Sequence, residues 1–523
     1  MTARTVVVIG GGLAGVTAAI ALREAGMGVT LVEARPWLGG ATCSFSRGGL
    51  VIDNGQHVFL RCCTAYRELL ARLGMTGSAT IQERFDVTVL SGSGRGTRGL
   101  GDPAGAGRGA AAGGGPGQAR LRRTALPGPL HMGKALSGYS FLTPAERLQV
   151  IRAALAMRFA DPAAAELDRQ RLGDWLAARG QSERARRRLW DLFIVSALNI
   201  NGDDASTALA ATVIKKALLG GRAAADVGVP AVPLGELHGR AAASLLGRLG
   251  ANVRLGTKVT AVEAGPGGGF QVRISSGTDA AASRPDGEEP AGGADDPVER
   301  LPGDGAGTPG STNGAVISAD AVVLAVPHGP AARLVPAAAA SGSARWAELG
   351  AVPIVNVHVI YDSRVTRLPL AAAVDSPVQW VFDKTRPAGV QTGQYLAVSV
   401  SAADSYIDAP VARLRELFLP ALEELFPAAR DARVTDFFVT RERRATFRQG
   451  PGCGSLRPGA ATSLPGFALA GAWTDTGWPD TMEGAVRSGH SAAQELIRQL
   501  TAVPAAQQAV PATAAQAPVR VSS

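Results

Sequence analysis

The chain opens with Val6-Val7-Val8-Ile9-Gly10-Gly11-Gly12-Leu13-Ala14-Gly15, and Val29-Thr30-Leu31-Val32-Glu33 completes the pattern. A β-branched run ends in a glycine turn, a helical pattern follows from about Leu13 to Ala25, and a second apolar strand ends on an acid. This order predicts a βαβ unit with the fingerprint of a bound dinucleotide at its turn.

Each position of the fingerprint has a physical role. Gly10 permits the tight bend, Gly12 lets a pyrophosphate approach the backbone, and Gly15 lets helix and strand pack closely. The pyrophosphate lies on the first helical residues, where free N–H groups and the helix dipole favour negative charge. Glu33 lies 18 positions after Gly15, where an acidic residue is expected to accept a hydrogen bond from a ribose hydroxyl. An acid there, with no basic residue before it, favours FAD or NAD over NADP.

Composition limits the class of protein. A length of 523 residues predicts two or more domains, and a net charge of +9 favours an anionic partner, either nucleic acid or a membrane face. The four cysteines have no C-x-x-C spacing, which argues against a disulfide framework or zinc site and favours a reducing cytosol. The uncharged stretch Thr5–Leu22 is interrupted by the glycine turn, so we expect no spanning helix.

Further elements follow along the chain. Residues 143–219 have a mostly helical pattern, which begins at the N-cap pair Thr143-Pro144. Ala319–Pro327 is typical of a buried parallel strand. Strands at 354–361, 378–382, 395–400 and 434–440, with a helix over 411–426, predict a separate sheet. Ser91–Arg123 is rich in Gly, Ala and Arg, and it lacks the stacking aromatics of an RNA-binding segment, so we predict a flexible insertion.

The C-terminal region repeats the opening logic. A short strand ends at Gly471, a polar loop Ala472-Trp473-Thr474-Asp475-Thr476-Gly477-Trp478-Pro479-Asp480 follows, and a helix begins near Met482. Its N-terminus offers a second set of free N–H groups. Two such helix ends, one from each end of the chain, suit a long cofactor whose pyrophosphate and ring are bound separately.

These motifs resemble a known superfamily. The opening fingerprint, the turn from Glu33 to Gly40 and the closing Glu483-Gly484-Ala485-x-x-Ser488-Gly489 resemble the flavin amine oxidases and phytoene desaturases. Within that superfamily, Asp53-Asn54-Gly55-Gln56-His57, Leu126–His131 and Trp473–Pro479 are similar to the squalene-associated FAD enzymes, the hydroxysqualene dehydroxylases. The resemblance covers nearly all of 6–496 except two insertions.

The resemblance implies an α/β fold with a discontinuous Rossmann-like FAD-binding domain and a second α+β substrate domain of mixed sheet and helices. The FAD-binding parts are expected at 1–90, 236–335 and 441–500, and the substrate parts at 126–235 (helical) and 336–440 (sheet). Disordered insertions are expected at 91–125 and 277–314, the second at a β-hairpin tip, and a disordered tail at 501–523.

The resemblance also implies the site residues. Val259 would meet the adenine through its backbone, and Gly471, Asp475 and Met482 would lie along the ribityl chain and flavin ring. Ala472 departs from the family, which usually has an acid there, so Asp475 or water takes that contact or flavin affinity is reduced. The expected cofactor-binding residues are Gly10, Gly12, Leu13, Ala14, Gly15, Glu33, Ala34, Arg35, Gly39, Gly40, Gln56, His57, Val259, Gly471, Asp475 and Met482; no metal is expected.

The implied reaction replaces the hydroxyl of hydroxysqualene by hydrogen. It needs a hydride, which reduced flavin supplies, and a proton for the departing hydroxide. His57 and Asp480 are the candidate acids because both lie in polar turns beside expected flavin-contacting segments. The alternative for His57 is a hydrogen bond to backbone near the flavin, and His131 is expected to be a loop-packing residue.

Other functions stay open at this point. A carotenoid-type desaturase or an amine oxidase shares the same motifs, but an amine substrate favours an aromatic pair and only 5% of residues are aromatic. A basic nucleic-acid-binding protein with a nucleotide fold is the alternative of another class. We predict an isoprenoid lipid substrate, no nucleic-acid partner, and a cytoplasmic protein in peripheral contact with the inner face of the cell membrane. Four arginines (Arg184, Arg186, Arg187 and Arg188) form either a solvated helix face or a lipid-headgroup contact.

Overall fold

The structure is a computed structural model that describes residues 3–92, 117–127, 130–265, 268–276 and 314–501. Within these ranges the α-helices are α1 (Leu13–Glu24), α2 (Thr64–Arg72), α3 (Gly133–Ser137), α4 (Pro144–Phe159), α5 (Ala165–Arg169), α6 (Leu172–Ala177), α7 (Glu183–Ala185), α8 (Asp191–Leu198), α9 (Thr207–Val213), α10 (Ala241–Arg248), α11 (His328–Leu334), α12 (Val411–Leu425) and α13 (Met482–Thr501). The wider π-helical turns are Arg186–Trp190, Ile214–Leu218 and Gly235–Arg240.

The strands of the same ranges are β1 (Thr5–Ile9), β2 (Gly28–Val32), β3 (Ser44–Arg47), β4 (Leu50–Asp53), β5 (Phe59–Leu60), β6 (Ala79–Ile81), β7 (Asp86–Ser91), β8 (Gly117–Arg122), β9 (Val227–Pro230), β10 (Asn252–Arg254), β11 (Thr257–Ala264), β12 (Phe270–Ser276), β13 (Ala315–Ala319), β14 (Ala321–Leu324), β15 (Val352–Tyr361), β16 (Leu370–Val374), β17 (Trp380–Asp383), β18 (Gln394–Val400), β19 (Val434–Thr446) and β20 (Phe467–Leu469).

The first domain is built on a parallel five-stranded sheet in the order β10-β2-β1-β14-β20. Side chains alternate along β1, so Val6 and Val8 face α1, α10 and α13, while Val7 and Ile9 face the antiparallel β11-β12-β13 sheet. Both faces of the sheet are covered, which explains the continuous apolar runs of its strands. The predicted discontinuous α/β domain is confirmed.

The second domain contains a seven-stranded mixed sheet in the order β19-β15-β18-β17-β16-β7-β8. The strands predicted at 354–361, 378–382 and 395–400 and the helix at 411–426 all occur there, with bounds shifted by a few residues. Helices from α3 to α9 supply the predicted helical part, and a capping box between Thr143 and Glu146 begins α4.

Three predicted boundaries are wrong. β7 belongs to the second domain although it was assigned to residues 1–90, and β19 continues to Thr446, past the expected boundary at 440. Residues 117–122 form β8 inside the expected insertion 91–125, because Ala119 and Leu121 are buried while the arginines between and after them point outward. Six residues with period 2 were too short a signal within a Gly- and Arg-rich stretch.

The remaining insertion and tail predictions lie outside the described residues. These are residues 93–116, 277–313 and 502–523. The strands on either side of the second insertion pair antiparallel, with Ile274 opposite Ala315, as expected for a β-hairpin connection. A further small sheet, β5-β9-β6, places β9 of the predicted helical part against the N-terminal part of the chain.

Candidate active site

The glycine turn after β1 has the geometry that its motif predicts. Gly10 has a φ of +108°, and a Cβ there would lie 2.4 Å from the Ala325 carbonyl oxygen. A Cβ on Gly15 would lie 1.8 Å from the Gly10 oxygen, so α1 packs against β1 only with glycine there. At Gly12 the nearest atom would be the Gly40 Cα, 4.0 Å away. Protein packing therefore does not demand glycine at position 12, and the open space there is compatible with the expected close approach of a pyrophosphate.

The N-terminus of α1 is suited to an anion. No side chain caps the helix, whose N-cap is Gly12, and Leu13 and Ala14 are its first residues. The first N–H groups of an α-helix have no acceptor within the helix, so they can donate to a pyrophosphate.

Glu33 faces this turn from the end of β2. Its Oε2 accepts a hydrogen bond from the Gly11 N–H at 2.5 Å, and its Oε1 accepts one from the Arg35 N–H at 2.8 Å. A carboxylate has about four acceptor positions, so capacity remains for ribose hydroxyls. Ala34, between Glu33 and Arg35, is exposed.

The second glycine turn lies directly on the first. The Gly39 N–H donates to the Gly11 oxygen at 2.8 Å, and a Cβ on Gly40 would lie 2.9 Å from the Gly12 Cα. The Arg35 guanidinium donates to the Gly40 oxygen at 3.1 Å. The structure thus brings together the residues from both predicted pyrophosphate segments.

Val259 lies close to the Glu33 end of this site. The Thr257 N–H, two residues earlier on β11, donates to the Glu33 backbone oxygen at 2.9 Å. The pairing of β11 with β12 shifts between Val259 and Ala261, which is a β-bulge. A bulge leaves backbone groups without ladder partners, consistent with the expected backbone contact to an adenine.

The two ends of the chain meet where the first turns of α1 pack against α13. A Cβ on Gly489 of α13 would lie 2.2 Å from the Ala14 oxygen and 2.9 Å from the Thr17 Cβ, so these helices touch at their backbones. Met482 begins α13, about 10 Å before Gly489 at 1.5 Å per residue. The Gly471 N–H donates to Ser488 Oγ at 2.8 Å, which ties the turn after β20 to the same helix.

The polar turn Asp53–His57 joins the two domains. Asp53 Oδ2 accepts a hydrogen bond from Lys384 Nζ at 2.8 Å, and both side chains are buried. The Asn54 oxygen accepts bonds from Asn356 and Thr440 of the second domain, each at 3.3 Å. The turn is therefore held in place by β15, β19 and the residue that follows β17.

Gln56 and His57 complete this turn. Gln56 Nε2 is buried and has no hydrogen-bond partner within the described ranges, which fits a missing ligand with acceptor atoms such as a flavin ring. His57 Nδ1 lies 3.2 Å from the Gly55 oxygen; because a carbonyl only accepts, we assign the hydrogen to Nδ1. Burial lowers the pKa of His57, so its ring is neutral near pH 7 and its Nε2 accepts a proton rather than donating one.

Asp480 has the opposite character. Its Oδ2 accepts a hydrogen bond from the Phe447 N–H at 3.0 Å, and its own N–H donates to Gln449 Oε1 at 3.0 Å. The side chain keeps some accessible surface, but most of it lies among protein atoms, and this burial raises the pKa of its carboxyl to about 6. Asp480 therefore holds a proton at a pH where an ordinary aspartic acid is ionised.

Strand β19 and the residue that follows it contact the two turns that contain His57 and Asp480. The Asn54 amide donates to Glu442 Oε2 at 3.3 Å, whereas Asp480 bonds the residue after Thr446. Glu442 and Phe447 are five residues apart, or about 17 Å along a strand. The Asp53–His57 turn and the Asp480 turn are therefore held at separate points along this segment.

Asp475 lies on the same loop as Gly471 but is exposed, and its carboxylate accepts from the Gly477 N–H at 3.2 Å. The Ala472 carbonyl accepts from the Arg457 guanidinium at 3.2 Å. His131, expected to be a packing residue, is fully buried, and burial lowers its pKa.

Sequence reasoning missed three residues. Lys384 forms the buried ion pair with Asp53, and Arg457 donates to four backbone oxygens of the loop 472–478. Glu483 accepts from the N–H groups of Ala65 (3.2 Å) and Tyr66 (2.8 Å), so it caps α2 rather than acting beside a ring. A lysine after an apolar strand was a weak signal for Lys384, and none existed for Arg457.

Two kinds of feature are absent from the part of the chain that the structure describes. It contains no group of three or more His, Cys, Asp or Glu side chains placed to hold a metal ion. No helix in it has both the length and the apolar character needed to cross a membrane.

Comparison with known proteins gives a consistent result. The sequence profile of the flavin-containing amine oxidoreductases matches residues 13–284 and 298–497. The chain is 29% identical to a hydroxysqualene dehydroxylase of Rhodopseudomonas palustris, over 94% of this chain and 98% of that protein. It is 26% identical to a zeta-carotene desaturase of Zea mays, over 92% of this chain and 82% of that protein.

Solved structures show the same architecture. A putrescine oxidase bound to putrescine superposes with a TM-score of 0.64 at 18% identity, covering 95% of this chain and 99% of the other. A cyclohexylamine oxidase from Brevibacterium oxydans gives a TM-score of 0.62 at 18% identity, with the same coverage. At this identity the likeness concerns the fold alone.

Proposed function

The chain belongs to the flavin-containing amine oxidoreductase family, and from this premise we propose that it removes the hydroxyl of hydroxysqualene to give squalene. A flavin combined with a dinucleotide fingerprint means FAD, and the enzyme is an FAD-dependent oxidoreductase. The proposal concerns the substrate and the direction of the reaction. Similarity along almost the whole chain to hydroxysqualene dehydroxylases supports it.

The observation that carries the proposal is the largely buried carboxyl of Asp480, which accepts from the Phe447 N–H and has a pKa raised by burial to about 6. Removing a hydroxyl breaks a C–O bond, forms a C–H bond and releases water, so the reaction consumes one hydride and one proton. FAD, when bound in its reduced form, supplies the hydride. A carboxyl with a pKa of about 6 is a suitable donor of the proton near neutral pH.

The other residues of the site orient and shield the reactants in this proposal. The two glycine turns and α1 hold the pyrophosphate, and the buried Asp53–Lys384 pair keeps the Asp53–His57 turn in place. Neutral His57 acts as a positioning residue because its Nδ1–H is engaged with the Gly55 oxygen.

A carotenoid-type desaturase is the second candidate, and the similarity to zeta-carotene desaturases favours it. That reaction runs in the opposite redox sense, since the substrate loses hydrogen. The two candidates therefore differ in whether reduced or oxidised protein turns over.

The test is an anaerobic single turnover. Reduced holoenzyme mixed with hydroxysqualene is expected to yield one squalene for each FAD oxidised, followed by flavin absorbance and mass spectrometry. Asp480→Asn keeps the acceptor for the Phe447 N–H and is expected to slow this step by about 100-fold or more, within the usual range of about 10²–10⁴ for a general acid.

The matched control is Asp404→Asn, an exposed acid paired with Arg448 beside the same end of β19, which is expected to react like the wild type. Flavin that stays reduced, with no squalene formed, contradicts the proposal. Oxidised protein that desaturates an added carotenoid supports the second candidate instead.

A further inference from the structure

Large apolar side chains are exposed on one region of the surface. Of the eight such side chains among the residues that the structure describes, six fall between positions 126 and 159. Phe159 is 83% exposed, an unusual state for so large an apolar group. The six are Leu126, Leu130, Leu148, Ile151, Leu155 and Phe159.

Four of these side chains form a continuous stripe on α4, which we call the α4 stripe: Leu148, Ile151, Leu155 and Phe159. At about 100° per residue they fall within an arc of roughly 80°. Arg158 borders the stripe on one side and Arg152 on the other, and both are exposed. The opposite face of α4 buries Val150, Ala153 and Met157 in the core. Core packing therefore explains one apolar face of this helix and leaves the second unexplained.

The two bordering arginines have no ion-pair partner among the described residues. The arginine cluster at 184–188, for which the sequence left a lipid-headgroup contact open, differs because each of its four arginines is paired with a carboxylate. The pairs are Arg184 with Glu146, Arg186 with Asp203, Arg187 with Glu183 and Arg188 with Asp375. That cluster is largely neutralised, so the headgroup alternative is not supported for it. Arg152 and Arg158 keep their charge available beside an apolar surface.

The chain itself offers little to cover this surface. Residues 93–116, 277–313 and 502–523, which the structure does not describe, contain no Phe, Ile, Met, Trp or Tyr. An apolar stripe bordered by cations matches the boundary between acyl chains and anionic headgroups.

We propose that the α4 stripe inserts into the surface of a membrane that contains anionic lipid, with Arg152 and Arg158 at the level of the headgroups. Leu126 and Leu130 lie in the segment that leads into α4, and α3 within that segment packs against α4. The proposal names a docking surface and does not depend on which substrate the enzyme uses.

The test uses the full-length holoenzyme and sedimentation with vesicles of phosphatidylcholine, alone or with one quarter phosphatidylglycerol. Wild type is expected to bind the anionic vesicles more tightly, and salt is expected to weaken that preference. Leu155→Glu/Phe159→Glu is expected to weaken binding to both vesicles at least tenfold. Each of Arg152→Gln and Arg158→Gln is expected to weaken binding to anionic vesicles about fivefold.

The control is Val316→Glu, which places one glutamate at an exposed apolar residue of β13, 48% exposed and away from α4. It is expected to bind vesicles like the wild type. All variants change exposed side chains, so their thermal midpoints and flavin absorbance should match the wild type.

Three results overturn the proposal. The first is wild type that remains unbound with both vesicle types, and the second is Leu155→Glu/Phe159→Glu protein that binds as tightly as wild type. The third is a wild-type dimer in light scattering that this double variant dissociates without any change in vesicle binding, since the stripe is then a contact between copies. Vesicle binding that persists in a protein without activity toward hydroxysqualene leaves the docking surface in place and refutes only the reaction.

Discussion

Replacing Gly489 by alanine tests the contact that joins the two ends of the chain. The added Cβ would lie 2.2 Å from the Ala14 oxygen, 3.1 Å from the Ala14 carbonyl carbon and 2.9 Å from the Thr17 Cβ. Two of these three atoms belong to the backbone of α1, which no rotamer change can move. Relief requires α13 to move about 1 Å away from α1 before the Cβ reaches an ordinary contact distance.

The expected cost follows from this geometry. Overpacking a well-packed contact costs about 1–3 kcal/mol, and a clash with backbone falls at the upper end. Alanine recovers about 0.5–1 kcal/mol through its better helix propensity. The net loss in the free energy of unfolding is therefore about 2 kcal/mol. At about 2.1 cal/mol/K per residue, a chain of this length has an unfolding entropy of about 1 kcal/mol/K, so the thermal midpoint should fall by about 2 °C. Moving α13 also shifts Met482 and the Gly471 turn relative to the pyrophosphate turn, so FAD affinity should fall as well.

The assay is thermal unfolding of apoprotein and holoprotein, together with the flavin absorbance that remains after desalting. Gly247→Ala in α10 is the matched control, since the same substitution there meets no atom within 4 Å. It is expected to increase the free energy of unfolding by about 0.5–1 kcal/mol and so to raise the midpoint slightly. A Gly489→Ala protein that melts at or above the wild-type temperature and retains its FAD would refute the packing argument.

Three further predictions concern buried charge. Lys384→Met leaves the Asp53 carboxylate buried without its cation and is expected to cost about 3–5 kcal/mol, with most of the loss recovered in Asp53→Asn/Lys384→Met, as measured by urea unfolding. Glu483→Ala removes two charged hydrogen bonds to the start of α2 and should cost about 3 kcal/mol; Glu483→Gln keeps an acceptor and should cost less than half as much in the same assay. Asp480 has a raised pKa in the folded state, so its ionisation lowers the free energy of unfolding. This loss is fully present above about pH 6 and disappears as the pH falls toward about 4. Apoprotein with Asp480→Asn should therefore be about 1–2 kcal/mol more stable than wild type at pH 8 and equally stable at pH 4; equal curves at both pH values exclude the raised pKa.

Much of the first domain could be predicted because its signals are local. The bend at Gly10, the close packing at Gly15 and the acid at Glu33 are each required by contacts within one βαβ unit. The run at Ala321–Leu324 was apolar throughout because both faces of a parallel sheet are buried.

The closing motif shows where local reasoning ended. Glu483, Ser488 and Gly489 belong to one short motif that resembles the flavin amine oxidases and phytoene desaturases. The structure gives them three separate tasks: Glu483 caps α2, Ser488 holds the Gly471 turn, and Gly489 admits the backbone of α1. Each partner lies in a different part of the chain, so no spacing within the motif could reveal it.

By itself, the sequence determined the fold class, the dinucleotide turn and the family, because these depend on residue types at short, regular spacings. Only the tertiary structure decided the different protonation properties of the two candidate acids. Asp480 has a raised pKa because its carboxyl is buried beside the end of β19, and His57 has a lowered pKa because its ring is buried in the Asp53–His57 turn. The tertiary structure also decided that β8 joins the mixed sheet and that α4 exposes a second apolar face. Burial is a property of residues distant in the chain that meet in space, and for that reason a pattern along the chain does not contain it.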